Sequence, residues 1–253
     1  MVALKLIRRF LAAVSFLTRF PLPSGVQTDL ASLEESPTWF PAVGALIGLT
    51  LAGFDGLACA LFHPAVAAVA DLVLLFVITG GLHLDGLLDS ADGLLSGRPR
   101  EEALEIMRDS RVGAMGVLVG ILMTGLKVAL IASLTGNLRS QALLVAPILG
   151  RYSILLAIAV FPYAKMGQGL GSLFKLKSRP SWPVIPGAVV VAACLALTGW
   201  RGAAAVLASF ALPLAMGAAV SDRLGGLTGD VYGALCEVVE VAVLSIFAAG
   251  WRP

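Results

Sequence analysis

Residues 180–200 carry no charge, and residues 202–221 are again uncharged up to Asp222. The two runs meet at Arg201-Gly202, which predicts a tight helical hairpin. A run of about 20 apolar residues matches the thickness of a bilayer's hydrocarbon core. The rest of the chain agrees. Mean hydropathy is +0.92 and 13% of residues are charged, where a soluble domain carries about 25%. Further spans are predicted at 39–62, 64–82, 111–134, 140–161 and 231–251. The expected architecture is an all-α, polytopic membrane bundle forming one domain over residues 1–253. It has about seven transmembrane helices, an interfacial helix near the N-terminus and an inner helical loop.

Charge placement orients this bundle. The segment 4–20 mixes Lys5, Arg8 and Arg9 with apolar residues and reads as an amphipathic helix at the interface. No Ala-x-Ala cleavage site follows it. With the N-terminus in the cytoplasm, only Arg139, Arg201 and Arg252 fall in outer segments, while Lys127 and Arg151 lie inside spans. Every other Lys and Arg falls on the inner side, as the positive-inside rule requires. The inner loops are then 83–110, 162–181 and 222–230. A net charge of +2 is too small to suggest nucleic acid. Cys59, Cys194 and Cys236 share no short spacing and read as small core residues.

The first inner loop opens with Gly80-Gly81-Leu82-His83-Leu84-Asp85-Gly86-Leu87-Leu88-Asp89-Ser90-Ala91-Asp92-Gly93. On a helix, Asp85, Asp89 and Asp92 fall within about 60° of one another. No Lys or Arg lies between residues 64 and 97 to neutralise them. Three short carboxylates on one face, flanked by glycines, predict a divalent cation. Hard oxygen donors select Mg²⁺, Mn²⁺ or Ca²⁺ over zinc. His83 is read first as a polar cap at the membrane surface, with a ligand or acid–base role as the lesser alternative. Glu105 and Asp109, spaced i, i+4, place a second acidic pair beside Arg108 and Arg111, and arginine binds phosphate through two parallel hydrogen bonds.

Other charges enter the membrane. Asp230, Glu237 and Glu240 share one side of the last span, and charges at that depth usually face a cavity. Asp230 is a candidate metal or substrate contact. Glu237 and Glu240 either join it or pair with Lys127 or Arg151. Arg151 is a candidate phosphate ligand, and Lys165, in the Gly-rich loop 165–171, is another. Asp55 and Asp71 read as partners of buried cations.

The stretches Asp85-Gly86-Leu87-Leu88-Asp89-Ser90-Ala91-Asp92-Gly93 and Met107-Arg108-Asp109-Ser110-Arg111-Val112-Gly113 resemble the cobalamin synthase family, the adenosylcobinamide-GDP ribazoletransferases. The resemblance extends to Leu17-Thr18-Arg19-Phe20-Pro21, Phe40-Pro41-x-x-Gly44, Gly150-Arg151, Gly169-Leu170-Gly171 and Leu227-Thr228-Gly229-Asp230-x-x-Gly233-Ala234. It implies an inner-membrane enzyme that uses Mg²⁺. Its substrates would be adenosylcobinamide-GDP and α-ribazole or its 5′-phosphate, and its products adenosylcobalamin or its 5′-phosphate, and GMP. On this reading Asp85, Asp89, Asp92 and Asp109 bind metal. Asp89, Asp92 and Asp109 carry the catalysis, with Asp109 as a further ligand or as base. Arg108, Arg111, Arg151, Lys165 and Asp230 hold substrate, and His83, Glu105 and Glu237 support them. A CDP-alcohol phosphotransferase is the alternative. Asp89-Ser90-Ala91-Asp92-Gly93 matches the opening of that signature, but Ser96-Gly97 stands where Ala-Arg is required. A transporter is the remaining alternative, and it would place its coupling residues near the midplane.

Overall fold

Prolines and glycines cut this apolar sequence into helices. The computed structural model describes residues 2–22, 29–164 and 169–250. Helix α1 spans Val2–Leu17, α2 Leu30–Glu34, α3 Phe40–Leu61, α4 Pro64–Thr79, α5 Leu82–Leu95 and α6 Arg100–Ile106. Then follow α7 Ala114–Ser133, α8 Gly136–Val160, α9 Leu170–Lys177, α10 Val184–Thr198, α11 Trp200–Leu224 and α12 Gly229–Ala248. Pro41 and Pro64 sit in the first turns of α3 and α4, where a missing N–H costs nothing. Two glycines in the left-handed region, Gly80 at φ 66° and Gly81 at φ 72°, end α4, and α5 leaves it at 91°.

Five helical segments are long and apolar enough to cross a bilayer: Ser36–Leu61, Ala114–Ser133, Gly136–Val160, Trp200–Leu224 and Gly229–Ala248. The bent pair α4–α5 raises the count to six if it is one span. The expected seven is therefore not reached among the described residues. The shortfall is one of length. Val184–Thr198 has 15 residues and Pro64–Thr79 has 16, about 22 and 24 Å of helix against a core of about 30 Å. The expected hairpin turns at Gly199, so Arg201 and Gly202 belong to α11. The outer surface is apolar, with Ile121 65%, Ile185 77% and Leu207 69% exposed. That is a lipid-facing surface, since a water-facing one of this character would aggregate.

Helices α8 and α12 form the centre. Gly44 and Gly48 of α3 meet the α8 backbone so closely that added Cβ atoms would stand 2.4 Å from the Pro147 oxygen and 2.5 Å from the Leu144 oxygen. Small residues four apart permit this approach in membranes. Helix ends then gather on two opposite faces. On one, Arg139 of α8 donates to Asp55, Asp71 and the carbonyls of Pro64 and Ile131. Arg139, expected in an outer loop, is thus buried in the first turn of α8 as the partner of Asp55 and Asp71. On the other face, Arg100 donates to the carbonyls of Leu224 and Ala164, and Arg223 to those of Leu94 and Arg98. These bonds tie α5, α6, α8 and α11 together around the acidic segment. Arg19 joins them, its N–H donating to the Ile78 carbonyl at 2.6 Å. Cys194 and Cys236 are buried and Cys59 is exposed.

Candidate active site

Two glycines set the geometry of the acidic cluster. A Cβ at Gly86 would stand 2.8 Å from the Asp230 carbonyl oxygen, and one at Gly233 3.1 Å from the His83 carbonyl oxygen. Helices α5 and α12 therefore cross backbone against backbone, and this brings the Asp230 carboxylate into the field of Asp85 and Asp89. The Asp89 carboxyl is pushed up to about 6, first by burial and then by Asp85, Asp230 and Asp92. Three like charges act on it. Among the described residues no three Asp, Glu, His or Cys side chains stand close enough together to hold a metal ion, so the four ligands expected at Asp85, Asp89, Asp92 and Asp109 do not converge.

Asp92 is held differently. Its two carboxylate oxygens accept from the N–H groups of Gly113 at 2.7 Å and Gly116 at 2.8 Å. It caps the N-terminus of α7, where an anion meets the helix dipole and satisfies orphan donors. Gly113 and Gly116 leave room for it, since a Cβ at either would stand 2.4 Å from an Asp92 oxygen. The Asp-Gly…Val-Gly-x-x-Gly spacing thus encodes a helix junction.

Helix α6 ends at Ile106, so Glu105 and Asp109 do not share the helical face expected of them. Asp109 lies in the following turn and forms a salt bridge with Arg111 at 2.5 Å, while the Arg111 side chain is 88% exposed. That hydrogen-bonded arginine holds the Asp109 carboxyl down at about 2, which disfavours it as a proton acceptor near neutrality. Glu105 is exposed. Lys165 lies outside the described residues.

A cavity of about 720 Å³ opens beside the cluster. Asp85, Arg108, Asp230, Thr228 and His83 are polar residues of its lining, and Phe16, Phe40, Leu104, Met107, Ile154 and Phe174 are apolar ones. Tyr163 and Tyr232 are also in the wall, their ring centroids 6.3 Å apart. No sequence motif signals these apolar lining residues. They come from α1, α3, α6, α8 and α9, and no local periodicity marks a surface assembled from so many elements.

Beside the polar lining runs a buried charge network. Lys127 donates to Glu237 at 2.7 Å and to Glu240 at 2.5 Å, and Arg151 pairs with Glu240. Arg151 is 1% exposed, and it reaches toward the cavity only through His83, whose Nδ1 accepts from it at 3.2 Å. Of the two roles open to Glu237 and Glu240, the structure shows ion pairing.

The cobalamin-5-phosphate synthase family matches residues 9–248. The chain is 40% identical to the adenosylcobinamide-GDP ribazoletransferase of Brevibacillus brevis, over 96% of this chain and 98% of that one. It is 39% identical to the enzyme of the same name from Desulforamulus reducens, over 94% and 95% of the two chains. With that from Roseiflexus it shares 40% identity, over 92% and 86%. No solved structure matches it. A match from residue 9 to residue 248 takes in every helix of the cavity and both acidic stretches, and the chain belongs to the cobalamin-5-phosphate synthase family.

Proposed function

We propose that this protein joins adenosylcobinamide-GDP to α-ribazole, or to its 5′-phosphate, and releases GMP. The observation that carries the reading is the polar lining of the cavity, where Asp85, Asp230 and Arg108 stand together beside Asp89. The relatives' names supply the substrates. A ribose hydroxyl of the acceptor attacks the phosphorus on the cobinamide side. A new phosphorus–oxygen bond forms and the pyrophosphate link breaks. GMP leaves with the bridging oxygen and its electron pair, and the hydroxyl proton is released.

Asp85, Asp89 and Asp230 would hold Mg²⁺, with Mn²⁺ as a substitute. The donor set fits. All three are hard oxygen donors, and Mg²⁺ takes one or two carboxylates with waters and substrate phosphate completing its shell. Such a cation neutralises charge on the transferring phosphate. The protein's own groups do the positioning that phosphoryl transfer mainly requires. Arg108 supplies a fork of donors to a phosphate oxygen at the cavity mouth. Arg151 orients His83 from below, and Asp92 fixes the end of α7 against α5.

The site-bearing face is the cytoplasmic one in this reading, in a bacterial inner membrane. Arg98, Arg100, Arg108, Arg111, Lys175, Lys177 and Arg223 lie on that face, whereas the opposite face holds Arg201 and the buried Arg139. This asymmetry supports the assignment. The test is to place the protein in nanodiscs with adenosylcobinamide-GDP, α-ribazole and Mg²⁺, and to follow GMP and the corrinoid product by chromatography. Formation of both in equal amounts is expected. Release of GMP without a joined product would mean hydrolysis and overturn the reading.

A further inference from the structure

We propose that the Tyr163 hydroxyl is a substrate contact of this site, donating its hydrogen to a phosphate oxygen of the bound adenosylcobinamide-GDP beside Arg108 and Asp230. The inference rests on the reaction proposed above. Tyr163 follows the end of α8 at Val160, and its backbone is pinned to the turn that precedes α12. The Leu227 N–H donates to the Pro162 carbonyl at 2.9 Å, and the Ala164 N–H to the Leu227 carbonyl at 2.9 Å. The two bonds make a parallel bridge between Tyr163 and Leu227. Gly226, at φ 147°, permits this approach, since a Cβ there would stand 2.7 Å from the Ala164 nitrogen. The backbone of Tyr163 and the first turn of the helix that carries Asp230 are thereby held as one unit.

The ring is placed as firmly as the backbone. A Cβ at Gly171, in the first turn of α9, would stand 2.8 Å from ring Cε2 of Tyr163 and 3.0 Å from its hydroxyl. The glycine therefore lets α9 close on the ring. The hydroxyl then comes within reach of the Gly229 N–H and into the field of Asp230 and Arg108. Tyr163 is partly exposed and lines the cavity together with Asp85, Arg108, Thr228 and Asp230. Its neighbour Tyr232 differs, being 4% exposed with its hydroxyl enclosed. Of the two phenols, Tyr163 is the one a ligand can meet.

The hydrogen of this phenol decides what it can bind. A tyrosine hydroxyl is neutral near pH 7 and carries one O–H. The Gly229 N–H donates to its oxygen, which leaves the O–H to donate elsewhere. Asp230 does not take it, since that carboxylate accepts from the Thr228 hydroxyl at 3.3 Å and from a backbone N–H. In the proposed reaction the anion beside Arg108 and Asp230 is the diphosphate of the donor. A hydrogen bond to such an ionised oxygen is about twice as strong as one between neutral groups. The hydroxyl thus adds a fixed, uncharged donor to the guanidinium of Arg108, and positioning of this kind is what phosphoryl transfer mainly requires.

The test measures donor binding and turnover in nanodisc-embedded wild type, Tyr163→Phe and Gly171→Ala, with Mg²⁺ present. Tyr163→Phe keeps the ring against Gly171 and removes only the hydroxyl. Gly171→Ala keeps the hydroxyl and displaces the ring. Donor binding is read without acceptor, from the rise of the thermal midpoint with adenosylcobinamide-GDP concentration. Turnover is read as GMP formed with α-ribazole. Each variant should lower donor affinity, and kcat/KM for the donor, about tenfold to a hundredfold, the worth of one hydrogen bond to a charged group. The KM for α-ribazole and the midpoint response to Mg²⁺ alone should hold within about twofold. The double variant should be no worse than the poorer single one, because both remove the same contact. A rise in the KM for α-ribazole alone would assign the hydroxyl to the acceptor. Equal losses of donor and Mg²⁺ affinity would make Tyr163 a support of Asp230. Normal donor affinity and turnover in Tyr163→Phe would leave the hydroxyl as a cap of α12. Each of these three results overturns the inference. No GMP from the wild type would sink the proposed reaction, and the binding measurement would still judge Tyr163, with equal donor affinity in wild type and Tyr163→Phe sinking this inference as well.

Discussion

Nη2 of Arg151 donates to Nδ1 of His83 at 3.2 Å. Because a guanidinium has no acceptor, Nδ1 must carry the lone pair and Nε2 the hydrogen. His83 is a residue of the cavity wall, and the arginine acts on the site through it. Replacing Arg151 by Lys keeps the charge but loses the planar fork, and Lys does not substitute at such a site. Turnover should fall by about tenfold or more, while the protein stays folded by size-exclusion chromatography. Wild-type turnover would show that the tautomer is set by other means.

The pairing of Lys127 with Glu237 and Glu240 has a stability consequence. Lys127→Met leaves two buried carboxylates facing one arginine, and breaking a buried pair costs about 3–5 kcal/mol. The thermal midpoint should drop sharply, and the double variant Lys127→Met/Glu237→Gln should recover part of it. A single variant as stable as wild type would show that water reaches this network.

Gly86 is required for the α5–α12 crossing. Gly86→Ala should separate Asp230 from Asp85 and abolish most product formation. Gly125→Ala, where a Cβ meets nothing within 4 Å, should be neutral or stabilising by roughly 0.5–1 kcal/mol through helix propensity. Equal activity in the two variants would remove the crossing from the account.

Asp89 sets the pH dependence. Its carboxyl is pushed up to about 6, so the charged form is disfavoured in the folded protein. The sign follows directly. A raised carboxyl makes folding most favourable at low pH and less so as pH rises through about 6, unless a cation compensates. Mg²⁺ should therefore raise the thermal midpoint more at pH 7.5 than at pH 5.5, and its apparent affinity should weaken as pH falls through about 6. Asp109 behaves oppositely. Held at about 2 by Arg111, it contributes stability above the ordinary carboxylate range that is lost only as pH falls toward 2, and so it should leave no mark between pH 5 and 8. A midpoint gain that is the same at both pH values would contradict the cation site.

Much of the site was legible because its carriers are short-range. Asp85 and Asp89 stand out as acids without local counter-ions, Asp230 as an acid at the inner end of the last span, and Asp55 and Asp71 as charges inside spans. Asp92 carried the same spacing, yet its oxygens belong to the α7 amides. Three-residue periodicity cannot reveal that a helix terminus 21 residues later points at one carboxylate and not its neighbours. The i, i+4 spacing puts Glu105 and Asp109 on one helix because no Gly or Pro directly follows α6 to mark its end. Seven apolar runs yield five helices of spanning length, or six with the bent pair, because Gly80-Gly81 turns one run and the stretch up to Pro183 together with Gly199 bounds another, and hydropathy registers composition and not a turn.

In the proposed reaction Asp89 and its neighbours hold the cation that supports transfer. Asp89→Asn tests it most directly, assayed for GMP and joined corrinoid product in nanodiscs with saturating Mg²⁺. Turnover should be nearly abolished while the thermal midpoint without Mg²⁺ stays level or rises, because the substitution removes a repelled charge, and the Mg²⁺-dependent gain in midpoint should disappear. A variant with normal turnover and a normal Mg²⁺ response would remove Asp89 from the site and contradict the account.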